Sequence, residues 1–174
     1  MENSLKELMK DKALCEIYTD IDDTSKFAVG YIIACDSDYT IVEMYDSHGH
    51  YDGIACFLTD TIFNVATKTE YLVALTKLID YYKEKSSYSV ESVADINKIL
   101  SVIKSEKRIC EIELCESGNS DISGYIDTFN DDVINVCKIG DYGQNDGTAV
   151  VSRHTISFVE FDSTDTVKLE ILCK

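Results

Sequence analysis

A short stretch in the first half of the sequence has the residue types of a metal site. It reads HGHYDG and places His48, His50 and Asp52 at every second position. Because side chains alternate between the two faces of a strand, these three groups share one face of an extended segment. Cys35 and Cys56 are nearby in the chain, but the spacing fixes no third or fourth ligand of the kind that Zn²⁺ requires. The stretch must therefore be compared with the rest of the chain.

An internal repeat gives this stretch a different meaning. Residues 30–78 align with residues 124–172 at an offset of 94 without a gap, and 15 of the 49 positions are identical. Every glycine of the first copy has a glycine partner in the second, which marks turns and close backbone approaches. The second copy of HGHYDG reads YGQNDG, so both histidines are replaced while the glycines and the aspartate stay. We interpret the stretch as a hairpin turn and predict no metal site.

Strands are predicted where apolar and polar residues alternate between turn residues. In the second copy these runs cover residues 110–114, 122–128, 133–139, 147–152, 156–161 and 167–173, with a turn at ESGNSD (116–121). In the first copy, residues 69–85 suit either structure, and we predict a strand at 71–75 that passes into a helix near Leu78. Five or six short strands in about 65 residues indicate a small, strongly bent barrel.

Helices are predicted before each copy. Residues 4–11 form the first helix, with Ser4 as N-cap, and residues 90–106 form the second, with Ser89 as N-cap. The predicted fold class is mainly β with short helices, as a tandem repeat of a helix plus a five-stranded bent barrel of the SH3 type. The predicted domains are a first repeat at 1–78, a connecting helical segment at 79–108 that includes the leading helix of the second repeat, and a second repeat at 109–174. Ser86 and Ser87 are the predicted linker.

Two motifs of the second copy resemble those of a known family. GYIDTFNDDVI (124–134) resembles the first Sm motif of the bacterial Sm-like RNA chaperone Hfq, and SRHTISFVE (152–160) resembles the second. The resemblance covers about 50 residues of the second copy and is weaker in the first, which reads GYIIACDSDYT and LTDTIFNV. It implies an Sm-like fold, a helix followed by a five-stranded bent barrel, and it implies RNA binding.

The resemblance also implies candidate RNA- or ligand-binding residues. In Hfq-like proteins a basic residue and a histidine line an RNA-binding pore, which points to Arg153 and His154. Eukaryotic Sm proteins contact a base through an asparagine after the turn of the second strand, which points to Asn135. The candidate set, completed by the turn of the first motif, is Asn130, Asp131, Asn135, Arg153 and His154. A structural interpretation competes with it: Arg153 pairs with a neighbouring carboxylate, and His154 caps a turn.

The charge of the chain opposes nucleic-acid binding. It has 32 acidic and 16 basic residues, a net charge of −16. Residues 13–78 carry 3 basic and 11 acidic residues, and residues 109–174 carry 4 and 13. Because RNA and DNA binders draw most of their affinity from neutralising phosphates, charge disfavours RNA as a partner.

Other features point to a protein-interaction role. The sequence has no GxSxG, P-loop, HExxH or paired CxxC motif, so we predict a non-enzyme without a cofactor. Seven scattered cysteines and the lack of a signal-like or membrane-length apolar run predict free thiols, a cytoplasmic location and no membrane partner. The first hypothesis is a scaffold that pairs with itself or another protein through edge strands, as a dimer or ring. The alternatives are an Sm/Hfq-like RNA-binding protein and an acidic binder of basic protein partners.

Overall fold

The computed structural model describes residues 1–115 and 122–174 and shows a mainly β protein with helices. The turn predicted at residues 116–121 lies outside the described residues. The chain divides into two compact units, Met1–Asp95 and Ile96–Lys174. Each unit contains buried apolar residues, and each is described by itself below.

The first unit contains five antiparallel strands between two helices. The elements are α1 (Glu2–Lys10), β1 (Leu14–Tyr18), β2 (Ala28–Cys35), β3 (Tyr39–Tyr45), β4 (Tyr51–Leu58), β5 (Asn64–Thr67) and α2 (Glu70–Tyr82). Strand β1 lies between β5 and β2, and the strand order is β5-β1-β2-β3-β4. A 3-10 turn at Thr59–Thr61 joins β4 to β5, and another follows at Val90–Ser92.

The second unit has the same succession of elements. The elements are α3 (Ile96–Glu106), β6 (Ile109–Leu114), β7 (Ile122–Phe129), β8 (Val133–Ile139), β9 (Asn145–Ser152), β10 (Ile156–Phe161) and α4 (Thr164–Leu172). The strand order is β10-β6-β7-β8-β9, and a 3-10 turn at Arg153–Thr155 joins β9 to β10. Five of the six strands predicted for this copy are confirmed, two of them with the predicted bounds.

The remaining strand predictions are wrong, because a helix follows the fifth strand of each unit. Residues 167–172 belong to α4, with Cys173 as its C-cap residue, and residues 71–75 lie inside α2. Both helices begin at a hydroxyl N-cap: Thr69 Oγ1 accepts from Leu72 N at 3.2 Å, and Ser163 Oγ accepts from Thr166 N at 3.3 Å. These caps satisfy backbone donors that a helix start leaves unpaired, so they favour the helix over the strand.

Two predictions about the leading helices are also corrected. Helix α1 begins at Glu2 with Met1 as the N-cap residue, so Ser4 lies inside the helix. The helix predicted at 90–106 is interrupted: Ser89 caps only the 3-10 turn, and α3 starts at Ile96. The buried face of α3 consists of Ile96, Ile99, Leu100 and Ile103.

The sheet in each unit is open, whereas the sequence predicts a five-stranded bent barrel. Among the described residues, no pairing joins the two ends of either strand order. Register shifts between Ile32 and Ala34, and between Ile126 and Thr128, mark bulges at which β2 and β7 bend and twist. Each unit is therefore an open five-stranded antiparallel sheet with a bulge in its second strand.

The repeated glycines at the β3–β4 and β8–β9 turns allow the helices to pack closely. Gly49 and Gly143 have φ of +86° and +80°. A Cβ on Gly49 would lie 2.9 Å from Ile79 N in α2, and a Cβ on Gly143 would lie 2.6 Å from the carbonyl of Leu172 in α4. Such contacts are impossible for a real side chain, so each turn needs glycine both for its backbone conformation and for the space that the helix occupies.

Candidate functional site

Three of the five predicted site residues meet at the turn between β7 and β8. Asn130 Oδ1 accepts from the backbone N–H groups of Asp132 at 2.8 Å and Val133 at 2.9 Å. Arg153 Nη1 donates to the Asn130 carbonyl oxygen at 2.9 Å and lies 3.6 Å from Asp131 Oδ1. Only 11% of the Arg153 side chain is exposed. Its guanidinium is therefore largely shielded from solvent and stabilises this turn.

The other two predicted residues lie apart from this cluster of contacts. His154 is exposed in the 3-10 turn that follows β9. Asn135 lies on β8, and its Nδ2 donates to Thr128 Oγ1 at 2.7 Å. With Thr128 and Val150, it lines a shallow cavity of about 370 Å³ over strands β7, β8 and β9. The RNA-binding role of all five residues stays a prediction.

The corresponding turn of the first unit forms without a basic residue. Asp36 Oδ1 accepts from the N–H groups of Asp38 at 2.8 Å and Tyr39 at 2.7 Å. Thr59 takes the place of Arg153, and its N–H donates to the Asp38 carbonyl oxygen at 2.8 Å. The Thr59 hydroxyl also bonds the Thr40 hydroxyl at 2.9 Å. The turn geometry therefore needs a side-chain acceptor at its start but no positive charge.

The first half of the HGHYDG stretch forms the predicted turn, whereas Tyr51, Asp52 and Gly53 begin β4. Asp46 Oδ1 accepts from the N–H groups of His48 at 2.8 Å and His50 at 2.9 Å. The His50 ring stacks on Tyr82 with centroids 4.0 Å apart, and its Nδ1 lies 3.1 Å from Glu84 Oε2. Across residues 1–115 and 122–174, no group of three His, Cys, Asp or Glu side chains is placed to hold a metal ion.

The arginines of the second unit have carboxylate partners. Arg108 Nη2 donates to Asp162 Oδ1 at 2.6 Å, and its Nε donates to Glu170 Oε1 at 2.8 Å. Lys104 and Lys107 line a second cavity, which lies between α3 and β7 and is separate from the one beside Asn135. Since the two arginine charges are already neutralised by acidic groups, they add little attraction for phosphates.

Strand β9 presents an open edge for pairing. It forms one end of the strand order of its unit and, in the part of the chain that the structure describes, pairs with β8 only. Its first half carries Asp146 and a register shift, but residues 148–152 carry no charge, and Val150 is 71% exposed. Proteins usually protect such edges with charges, proline or bulges, because an unprotected edge pairs with other strands. The second half of β9 lacks this protection.

The structure also brings together four aromatic side chains that the sequence analysis did not single out. Tyr18, Phe27, Phe63 and Tyr71 form a connected group that we call the aromatic surface. The ring of Tyr18 lies 5.3 Å from Phe27 and 6.4 Å from Phe63, and Phe27 lies 5.6 Å from Tyr71, centroid to centroid. In the sequence these four residues stand near loops and strand ends, where aromatic side chains are not needed to build an apolar core. This position is the only sign of the aromatic surface in the sequence.

The seven cysteines are free thiols of two kinds. Cys15, Cys56 and Cys110 are buried, whereas Cys35, Cys115, Cys137 and Cys173 are partly exposed. Burial raises the pKa of Cys15 to about 11 and that of Cys110 to about 12, and it raises the pKa of Cys56 as well. A thiol reacts as its thiolate, so these three sites are inert near neutral pH.

Alkylation of the native protein at pH 8 is expected to stop at four modified thiols. Mass spectrometry after treatment with iodoacetamide should show the modifications at Cys35, Cys115, Cys137 and Cys173, and unfolding in urea should release the other three. Rapid labelling of Cys56 or Cys110 in the folded chain would contradict the burial described here.

No protein-family model matches the chain, and no curated protein matches its sequence. Within residues 1–115 and 122–174, no helix is both long and apolar enough to cross a membrane. A functional proposal therefore rests on the geometry of the chain itself.

Proposed function

We propose that this chain is a non-enzymatic protein-interaction module that associates with a second copy of itself through β9. The observation that carries the proposal is the unprotected half of this edge strand, with Val150 exposed at its centre. The seven unpaired thiols support a reducing, cytoplasmic location for this module.

The sequence of β9 suits pairing with itself. A two-fold antiparallel pair centred between Ala149 and Val150 places the uncharged residues 148–151 of the two chains opposite each other. A symmetric pair of identical edges forms a closed dimer. Because each chain carries a net charge of −16, added salt reduces the repulsion between two copies. Dimerisation should therefore become stronger as ionic strength rises.

A duplicated Sm-like unit is the proposed origin of this scaffold. Corresponding pairs occupy the same places in both units: Cys15 pairs with Gly30 in the first, and Cys110 pairs with Gly124 in the second. The helix caps Thr69 and Ser163 are also separated by the offset of 94. Three features of both units support the resemblance to the Sm family. They are the leading helix, the position of the first strand (β1 or β6) between two other strands, and the 3-10 turn before the last strand.

A single charge placed on the edge tests the proposal. Val150→Lys should convert the dimer to a monomer, because it puts a charge at the centre of the edge in both chains, and a charged edge resists pairing. Sedimentation velocity at 50 and 500 mM NaCl measures the change against the 19.5 kDa of one chain. The matched control is Val73→Lys on α2, where the valine is 53% exposed but lies on no strand edge.

Three outcomes oppose the proposal. Wild-type protein that stays monomeric up to about 100 µM at high salt has no β9 dimer of useful strength. A dimer or larger ring that survives Val150→Lys uses another surface. Retention of U-rich or A-rich RNA by the wild type, lost on Arg153→Ala, would favour the Sm/Hfq-like RNA-binding alternative instead.

A further inference from the structure

We propose that the aromatic surface of Tyr18, Phe27, Phe63 and Tyr71 binds an arginine-containing extended segment of another protein, which adds as a strand beside β5. This surface belongs to the first unit, whereas the proposed dimer edge β9 belongs to the second. The inference therefore goes beyond the proposed self-association and does not depend on it.

The aromatic surface is exposed and internally ordered. Phe27 and Phe63 are each 38% exposed, and Tyr71 is 37% exposed. The Tyr18 hydroxyl donates to Glu16 Oε2 at 2.7 Å, which fixes the central ring. Rings that are already held in place lose little conformational entropy when a partner binds, and exposed aromatic groups of this kind mark interaction surfaces. The surface is thus preorganised for contact.

The charges that flank these rings are mostly negative. Asp20 and Asp22 follow Tyr18 in an exposed loop, Asp60 precedes Phe63, and Glu70 precedes Tyr71. Lys26, beside Phe27, is 3.2 Å from Asp23, so its charge is matched by an acidic partner. Lys68 is the remaining basic residue near these positions in the chain. The surroundings favour a cationic partner and oppose an anionic one.

Strand β5 offers backbone groups beside the same rings. It pairs with β1 from Cys15↔Thr67 to Tyr18↔Asn64, and within the described residues no other strand pairs with it. Phe63 directly precedes this strand, and its N–H donates to the Tyr18 carbonyl oxygen at 3.1 Å. An extended peptide that adds to an open edge gains main-chain hydrogen bonds, while alternate side chains reach one face. Phe63 lies at the start of this edge, and Tyr18 and Phe27 extend the aromatic surface inward from it.

Arginine fits this combination better than other partners do. A guanidinium stacks on aromatic rings and pairs with carboxylates, and both groups are present here. RNA bases also stack on aromatic rings, but they bring phosphates to a region of net negative charge. A purely apolar segment would gain nothing from the acidic loop. The rings, the carboxylates and the open edge together favour an extended segment with arginine at alternate positions.

The experiment uses the full chain and a fluorescein-labelled peptide of eight residues that alternates arginine and threonine. Fluorescence anisotropy should give a Kd on the order of 10–100 µM at 150 mM NaCl. The double variant Phe27→Ala/Phe63→Ala should raise this Kd about tenfold, because two ring contacts with guanidinium groups are lost. Asp20→Asn/Asp22→Asn keeps the rings and should raise the Kd about threefold, with a weaker salt dependence.

Matched controls separate the aromatic surface from general attraction between a polycation and an acidic chain. Tyr142→Ala removes an aromatic ring that is 83% exposed in the second unit, and it should leave the Kd unchanged. A peptide with lysine in place of arginine should bind more weakly, and one with glutamate should not bind. Thermal unfolding of each variant shows whether the fold is kept. Val150→Lys should leave the peptide Kd unchanged, so failure of the dimer and failure of this inference are distinguishable.

The inference is overturned by any of three results. The first is the absence of peptide binding at 1 mM protein. The second is a Kd that stays within twofold of the wild type in the folded Phe27→Ala/Phe63→Ala variant, because the peptide then binds through charge alone. The third is binding of a ten-nucleotide uridine RNA that the same double variant abolishes, which would assign the surface to stacked bases.

Discussion

Gly143→Ala is expected to lower the unfolding temperature of the protein by about 10–20 °C, which corresponds to about 2–4 kcal/mol for a unit of this size. Two causes add. Gly143 has φ of +80°, a conformation that costs an alanine about 1–2 kcal/mol. The new Cβ would also lie 2.6 Å from the carbonyl carbon of Leu172, so α4 must move away from the turn. Calorimetry and far-UV circular dichroism measure the loss.

Gly147→Ala is the matched control for this prediction. Gly147 has φ of +86°, but no atom lies within 4 Å of the position that a Cβ would take. Only the backbone cost remains, so the expected loss is about 1 kcal/mol. In the first unit, Gly49→Ala should behave like Gly143→Ala, since its Cβ would lie 2.6 Å from Leu78 Cβ. Equal unfolding temperatures for the Gly143 and Gly147 variants would show that α4 does not pack on the turn.

Arg108→Ala is expected to cost about 2–3 kcal/mol of unfolding free energy, because it removes the guanidinium that two partly buried carboxylates share. The Arg108, Asp162 and Glu170 side chains are only 18–19% exposed, so water does not replace the lost partner fully. Glu170 Oε1 also accepts from Ile109 N at 3.0 Å, which ties α4 to the start of β6. Urea unfolding monitored by circular dichroism gives the free energy.

Lys138→Ala provides the comparison for Arg108→Ala. The Lys138 ammonium lies 2.6 Å from Asp146 Oδ2, but the two side chains are 33% and 57% exposed. An exposed pair of this kind contributes less than about 1 kcal/mol. Arg108→Lys should lie between the two, since it keeps the charge and loses the planar fork that reaches both carboxylates. A loss below 1 kcal/mol for Arg108→Ala would mean that solvent screens this cluster.

Strands were easier to predict from the sequence than the helices that follow them. The runs that became β8 and β10 alternate between turn residues, and both were predicted with their observed bounds. The segment VKLEILC alternates equally well, yet it lies in α4, where Leu169 is buried. Short segments can satisfy both periods, so the N-cap at Ser163 decides between them.

The candidate site was predictable only where its contacts are local. The Asn130 side chain accepts hydrogen bonds from the backbone N–H groups two and three residues later. A turn of this kind can be predicted from the pattern of adjacent residues. The salt-bridge cluster of Arg108 joins residues more than fifty positions apart, which spacing does not reveal. The members of the aromatic surface likewise come from four separate segments of the chain. The pairings of β1 with β2 and with β5 bring Phe27 and Phe63 beside Tyr18.

The position of α2 at the end of its unit has a consequence for synthesis on the ribosome. Leu72, Leu75 and Ile79 of this helix share a buried cluster with Leu14, Val29 and Tyr45 from the strands. All five strands of the first unit are complete at Thr67, before any residue of α2 has been made. The first unit therefore completes this core only after Ile79 has left the ribosome, and until then α2 does not cover the apolar side of its strands.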